Sequence, residues 1–114
     1  MLFYSCYRSE RKCEDFEQGT FEWTQEIEGE TVTTRFVRTD DYQIEYFKEE
    51  VDSAKITWIN DCEYRIKPIN PKSNAESRAY LFKITRTDGD RYYFQFEQSG
   101  LDQVFDGSAV KVQD

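Results

Sequence analysis

Apolar and polar residues alternate along most of the chain from Gly19 onward. Neighbouring side chains of a β-strand point to opposite faces of the sheet, so this alternation is typical of strands with one buried face. In segment 20–27, for example, Phe21, Trp23 and Ile27 share one face, while acids and threonines occupy the other. The pattern predicts about eight short strands and no long helix. These strands are expected at 20–27, 31–38, 42–47, 54–59, 62–69, 78–87, 91–97 and 108–112.

Turn-forming residues separate these segments. Segment 28–30 (Glu-Gly-Glu) and the Asp88-Gly89 pair predict tight hairpin turns between strands. Asn60-Asp61 separates the fourth and fifth strands, and Asp61 is expected to cap that turn with its side chain. Segments 48–53 and 99–107 are expected to be loops. Strands joined by such short connections pair as antiparallel neighbours.

A meander of this length must curl or split, because an open sheet would leave its apolar face wet and its edges unpaired. The sequence therefore predicts an all-β fold, an antiparallel meander that forms a lipocalin-like barrel or half barrel. A two-sheet β-sandwich is the alternative. Residues 1–18 are expected to form an N-terminal tether or irregular lead-in, with a short helical turn within 10–17. A single antiparallel β domain is expected over 19–114.

Composition narrows the functional classes. With 114 residues, of which 17% are aromatic, the chain is long enough for one domain with a real core. Its formal net charge of −8 repels phosphates, so we expect no nucleic-acid partner. The sequence contains no histidine, which removes the commonest general base and the usual zinc ligand. We expect no catalytic residues, no metal site and no cofactor.

Three cysteines, Cys6, Cys13 and Cys62, leave an odd number to explain. In an exported protein a Cys13–Cys62 disulfide would close a loop of roughly 50 residues and stabilise the fold by about 3–4 kcal/mol. In a reducing cytosol all three would be thiols, and a buried free thiol at Cys62 is the alternative. Cys6 follows an apolar run that is similar to the tail of a bacterial lipoprotein signal, although no basic n-region precedes it. Lipidation of Cys6 and a chance match both stay open.

Aromatic residues recur on one side of several predicted strands, including Tyr42 and Tyr46 in segment 42–47. The interior of an eight-stranded barrel is either filled by side chains or holds one small ligand. These rings therefore either pack the core or line a pocket for an apolar ligand, and the sequence leaves both open. The candidate lining residues are Phe21, Trp23, Tyr46, Trp58, Tyr64, Phe82, Phe94 and Phe96.

Acidic residues are numerous, but none of their clusters matches a calcium-binding loop. Asp88 and Asp90 indicate a plain hairpin turn, and the acids of segment 49–52 a solvated loop. Asp61 and Glu63, beside Cys62, are the candidates for carboxylate-only catalysis, a role ranked below binding.

Four short segments, 13–16 (CEDF), 19–21 (GTF), 34–36 (TRF) and 58–64 (WINDCEY), carry a resemblance. Together they resemble a family of small uncharacterised bacterial envelope proteins, and the similarity covers nearly the whole chain after Cys6. The resemblance implies export by a lipoprotein-type signal that ends at the position of Cys6, and it implies no activity. Some family members carry an automatic topoisomerase IV label. This chain gives that label no support, because it has no ATP-binding glycine-rich loop and no evident acidic metal motif.

These observations predict a non-catalytic exported binding module of the bacterial cell envelope. It would lie in the periplasm or be anchored to the outer membrane through lipid on Cys6, and that anchor would be its only membrane contact. It would hold an apolar small molecule or a protein partner, as a monomer. The alternative is an acidic inhibitor or immunity-type protein that neutralises a basic partner by electrostatic complementarity.

Overall fold

The computed structural model describes residues 12–71 and 78–114. Within these residues a 3-10 helix, Cys13–Phe16, precedes eight strands. The strands pair in chain order, all antiparallel, and β8 pairs with β1, so the sheet closes into an up-and-down barrel. The predicted all-β, lipocalin-like barrel is confirmed. The strands are β1 Gly19–Ile27, β2 Glu30–Arg38, β3 Tyr42–Phe47, β4 Glu50–Asn60, β5 Glu63–Pro68, β6 Tyr80–Asp88, β7 Arg91–Gln98 and β8 Val104–Gln113.

β4 begins at Glu50, four residues before the predicted start, so the predicted loop 48–53 is too long. Its first four residues pair with β3 but are all exposed. A strand segment that is exposed on both faces carries no apolar alternation, which is why the sequence pattern fails there.

β8 begins at Val104 rather than at residue 108, so the predicted loop 99–107 is also too long. Gly107 in this strand lies opposite Phe94 of β7. A Cβ atom at Gly107 would come within 2.7 Å of the Phe94 ring. The glycine is therefore required by close packing inside a strand, although in sequence it is typical of a loop.

The connections lie at two opposite ends of the barrel. We call the end with the turns after β1, β3, β5 and β7 the open end, and the other end the capped end. The β1–β2 turn at the open end has Glu28 and Gly29 at φ 53° and 83°, both left-handed, as favoured by two-residue hairpins. In the β4–β5 turn at the capped end, the Asn60 side-chain oxygen accepts a hydrogen bond from the Cys62 N–H at 2.9 Å. Asn60 caps this turn, so the prediction for Asp61 is wrong.

The 3-10 helix covers the capped end. A disulfide between Cys13 and Cys62 joins the helix to the β4–β5 turn, which confirms the predicted bridge. Phe16 is 1% exposed and packs on Tyr92, with 5.0 Å between ring centroids. Lys111 of β8 donates to the Asp15 carbonyl oxygen at 2.7 Å. The lead-in residues 1–11, with the lipidation candidate Cys6, lie outside the described residues.

Aromatic rings fill the middle of the barrel. Phe21 and Phe36 stack at 5.1 Å, and Tyr92 meets Phe21 edge-on at 5.9 Å. Because eight strands enclose little space, a few buried rings are enough to occupy it. No helix within 12–71 or 78–114 has the length and apolar character that crossing a bilayer would require.

Candidate functional site

A buried arginine lies in the barrel between the capped end and the middle. Arg38, at the end of β2, is 2% exposed, and its inward direction follows from the alternation that also buries Phe36. Its guanidinium donates to the Gln43 side-chain oxygen at 2.8 and 3.1 Å and to the Phe16 carbonyl oxygen at 2.8 Å. It also donates to the hydroxyls of Tyr64 and Tyr92, at 3.2 Å each. We call these residues the Arg38 cluster.

Rings surround the Arg38 charge. Its guanidinium carbon lies 4.6 Å from the Tyr64 ring centroid and 4.9 Å from that of Phe21, within cation–π range. Burial opposes the charged form, but the Tyr64 and Tyr92 hydroxyls more than offset it and the pKa of Arg38 is raised. Burial likewise raises the pKa of Tyr64 well above its usual value. Arg38 is therefore a permanent cation with its donors occupied.

A further hydrogen bond extends the Arg38 cluster toward the open end. The Gln43 amide nitrogen donates to Glu45 at 3.2 Å, so the β3 residues that face inward are polar. This reverses the predicted face of β3. Tyr42 and Tyr46 are 48% and 42% exposed, on the outside of the barrel. The prediction that Tyr46 lines the interior is wrong, because the buried Arg38 requires polar partners on the strand beside it.

Beyond Glu45 the interior opens into a cavity of about 410 Å³, which we call the open-end cavity. Its apolar wall is mainly aromatic. Phe82 and Phe96 stack at 5.1 Å, Trp23 meets Phe96 edge-on at 5.6 Å, and Tyr80 lies 6.5 Å from Phe82. Ala54, Ile66, Pro68 and Pro71 add aliphatic surface, and Gln25, Ser53 and Asn70 add polar groups.

The cavity floor is rigid because it belongs to the packed core. The Phe82 and Tyr64 rings lie nearly parallel, with 5.0 Å between their centroids and an interplanar angle of 3°. The Tyr64 hydroxyl in turn accepts a hydrogen bond from Arg38. The cavity is thus a preformed concavity on a filled base, as most small-molecule sites are.

Apart from Tyr46, the predicted lining residues divide between the cavity and the core. Trp23, Phe82 and Phe96 line the open-end cavity. Phe21, Tyr64 and Phe94 are buried in the core, and Trp58 packs against that core beside Tyr64 at 4.6 Å. A period-two pattern identifies the inward face of a strand but not the depth of each residue along the barrel. That is why the two groups of rings look alike in sequence.

Two carboxylates also line the open-end cavity, and the sequence analysis did not identify them as a site. Glu45 of β3 and Asp52 of β4 are directly opposite each other across the antiparallel ladder. The pKa of Glu45 is raised, first by burial and further by the Asp52 charge, while the bond from Gln43 and the Arg38 charge act the other way. The sequence indicates this pairing only through the short turn at 48–49, because a turn of that length fixes which residues of β3 and β4 lie opposite each other.

The acids near the disulfide make a different arrangement. Glu63 accepts a hydrogen bond from the Asn60 amide at 2.9 Å, while Asp61 is exposed in the β4–β5 turn. Within 12–71 and 78–114, no three acidic or cysteine side chains form a group that could hold a metal ion.

Compared with known proteins, the chain matches no family model, no curated protein and no solved structure. The barrel fold by itself does not imply a function, because similar scaffolds carry many different sites. The open-end cavity brings aromatic rings and two carboxylates together in one concavity.

Proposed function

We propose that the protein is a non-catalytic binding module that holds a small molecule in the open-end cavity. One observation carries this proposal: the barrel interior is filled around Arg38 but leaves about 410 Å³ beside four aromatic rings at the other end. That volume lies within the range of small-molecule sites. Each 100 Å² of apolar ligand surface buried there would contribute about 2.5 kcal/mol before the costs of binding.

The proposal includes export to an oxidising compartment. Support comes from the Cys13–Cys62 disulfide, since such bonds persist in periplasmic and extracellular proteins and are rare in the cytosol. Attachment to the cell envelope through lipid on Cys6 is the finer part of this proposal. Native mass spectrometry of protein purified from its own source would report a lipid mass, the disulfide and any retained ligand together.

A second candidate function draws on the acidic rim of the open end. Glu26, Glu28 and Glu30 at the β1–β2 turn are exposed, as are Glu49 and Glu50 at the β3–β4 turn. Such a rim would attract a basic protein partner and speed its association. An inhibitor of this kind would use the rim and would not need the cavity.

A cavity-filling variant tests the leading proposal. Ala54 lines the open-end cavity, so Ala54→Phe should fill it, whereas Thr57→Phe adds the same ring at an exposed position of the same strand. We expect the uncharged probe N-phenyl-1-naphthylamine to bind wild type and Thr57→Phe saturably, with a rise in its fluorescence. Ala54→Phe should weaken binding by about tenfold or more, because little of the cavity remains.

Circular dichroism and urea unfolding of both variants would establish that each is folded. Equal affinity of the probe for all three proteins would contradict the proposal, as would failure of the probe to bind wild type at all.

A further inference from the structure

We propose that the ligand of the open-end cavity is an organic cation, an amine or quaternary ammonium with apolar groups attached. This inference rests on the proposed function and specifies the chemical class of its ligand. It is carried by the combination of two facing carboxylates and a set of aromatic rings around one cavity.

Two like charges face each other at the open-end cavity. Glu45 and Asp52 occupy directly opposite positions on neighbouring strands, where Cβ atoms lie about 5 Å apart. Like charges in that position destabilise a sheet. Here the Glu45 side chain is also half-buried against a partly apolar cavity, which limits its solvation, whereas Asp52 is exposed. A cation bound between them would relieve this repulsion.

The described lining of the open-end cavity is unbalanced in charge. Among the described residues that line the cavity, two are acidic and none is lysine or arginine. Arg38 places one positive charge behind Glu45, but its N–H groups are occupied by Gln43, Phe16 and the two tyrosine hydroxyls. Among the described residues, one positive charge against two carboxylates leaves a net negative charge, and a ligand cation would neutralise it.

The apolar wall of the open-end cavity also suits a cation. The faces of aromatic rings carry partial negative charge and attract cations, an effect that grows when water is excluded. Trp23, Tyr80, Phe82 and Phe96 line the same cavity as the two carboxylates. The barrel already binds one cation in this way, since rings enclose the Arg38 guanidinium at 4.6–5.9 Å.

The surroundings are consistent with this ligand. The pKa of Glu45 is raised by burial and by Asp52, and a cation in the cavity would lower it again. Exposed acids on the β1–β2 and β3–β4 turns stand at the rim of the open end, with Lys48 as a basic residue among them. A rim of that charge raises the local concentration of cations.

The test compares two ligands of the same shape. Benzyltrimethylammonium and its uncharged carbon isostere neopentylbenzene would be titrated against the protein loaded with N-phenyl-1-naphthylamine, and the displacement of the probe recorded. We expect the cation to bind about tenfold more tightly than the isostere, the factor that a desolvated cation–π contact and a facing carboxylate pair can supply.

Substitutions then locate the charge effect. Glu45→Gln keeps an acceptor for Gln43, and Asp52→Asn changes an exposed side chain, so both variants should fold. Each should lower the preference for the cation about three- to tenfold, as expected for the loss of one nearby charge. Glu14→Gln, exposed at the capped end, makes the same change in net charge and should leave the preference unchanged.

The outcomes separate the two proposals. If the neutral isostere binds at least as tightly as the cation, or if Glu14→Gln lowers the preference as much as Asp52→Asn does, the inference is overturned while the cavity remains a binding site. If neither ligand nor the probe binds wild type, the proposed function fails, and the inference fails with it.

Discussion

The two ends of this barrel use the same eight strands for opposite purposes. At the capped end, the 3-10 helix, the disulfide and the Arg38 cluster fill the interior, and every polar group of that cluster has a partner. At the open end, the interior is left hollow, and two carboxylates face each other across β3 and β4. The comparison separates the residues that hold the fold from those that form a site.

The two ends differ in how far the protein stabilises the charge that it places inside the barrel. Five hydrogen bonds and the surrounding rings stabilise the buried charge of Arg38, so its environment is complete without a ligand. Glu45 accepts a hydrogen bond from Gln43 but faces a second acid, Asp52. Binding sites commonly retain such unfavourable groups, and the rest of the fold compensates for their cost.

The largest expected effect is at the Arg38 cluster. Arg38→Met removes the donor shared by Gln43, Tyr64 and Tyr92, and leaves buried acceptors without their partner. We expect the free energy of unfolding to fall by about 3–5 kcal/mol, measured by urea denaturation. Arg65→Met, an exposed position on β5, should change it by no more than about 0.5 kcal/mol. Equal stability of the two variants would show that the cluster contributes nothing net.

Next in size is the disulfide at the same end. The bridge joins residues 49 apart in sequence, and the double variant Cys13→Ala/Cys62→Ala should lose about 3–4 kcal/mol of unfolding free energy. Cys6→Ala is the matched control, because it removes a cysteine outside this bridge. Probe binding at the open end should survive in whatever fraction of the double variant is folded. Loss of binding by fully folded protein would argue against the independence of the two ends.

A smaller effect of opposite sign is expected at the open end. Asp52→Asn removes one of two like charges that face each other and should raise the free energy of unfolding by up to about 1 kcal/mol. Asp106→Asn makes the same change opposite the neutral Gln95 and should stay within about 0.5 kcal/mol of wild type. A destabilised Asp52→Asn would mean that Asp52 has a favourable structural role and that the strain we assign to the pair is absent.

The last prediction concerns pH. The pKa of Glu45 is raised in the fold, so its stabilising contribution is present at low pH and is lost as pH rises from its ordinary value of 4.5 through the raised one. The charged groups that face it are Asp52 on β4 and Arg38 on β2. We expect the unfolding free energy of wild type, relative to Glu45→Gln, to decline across that window. Added benzyltrimethylammonium should move the decline to lower pH, and a flat difference would contradict the assignment.

Much of the fold follows from the sequence, and the reason is local. Period-two alternation predicted all eight strands, and turn residues such as Asp88-Gly89 predicted antiparallel pairing. The strand ends were predicted poorly at Glu50 and Val104, where exposure on both faces or close packing of a glycine hides the alternation. The Cys13–Cys62 bridge was predicted from the number of cysteines and the long loop that it would close.

The candidate site was predicted less well, because its parts depend on contacts between distant residues. The tyrosines of β3 face outward, since Gln43 and Glu45 are needed beside Arg38. Nothing local in the sequence reports that need, since the partners of Arg38 come from β3, β5, β7 and the 3-10 helix. Trp23, Phe82 and Phe96 were among the predicted lining residues, but only their depth in the barrel separates them from Phe21 and Phe94.

By itself the sequence determined the strands and their antiparallel order, because both depend on neighbours in the chain. Closure of the sheet depends on the pairing of β1 with β8, and the sequence left a barrel, a half barrel and a sandwich open. Tertiary structure alone decided which end of the interior is filled and which is hollow, because that depends on where one buried cation finds its acceptors. The facing of Glu45 and Asp52 is likewise a consequence of strand register. Composition shows that this chain is acidic, but it does not show which acids the strand register places opposite each other in the barrel.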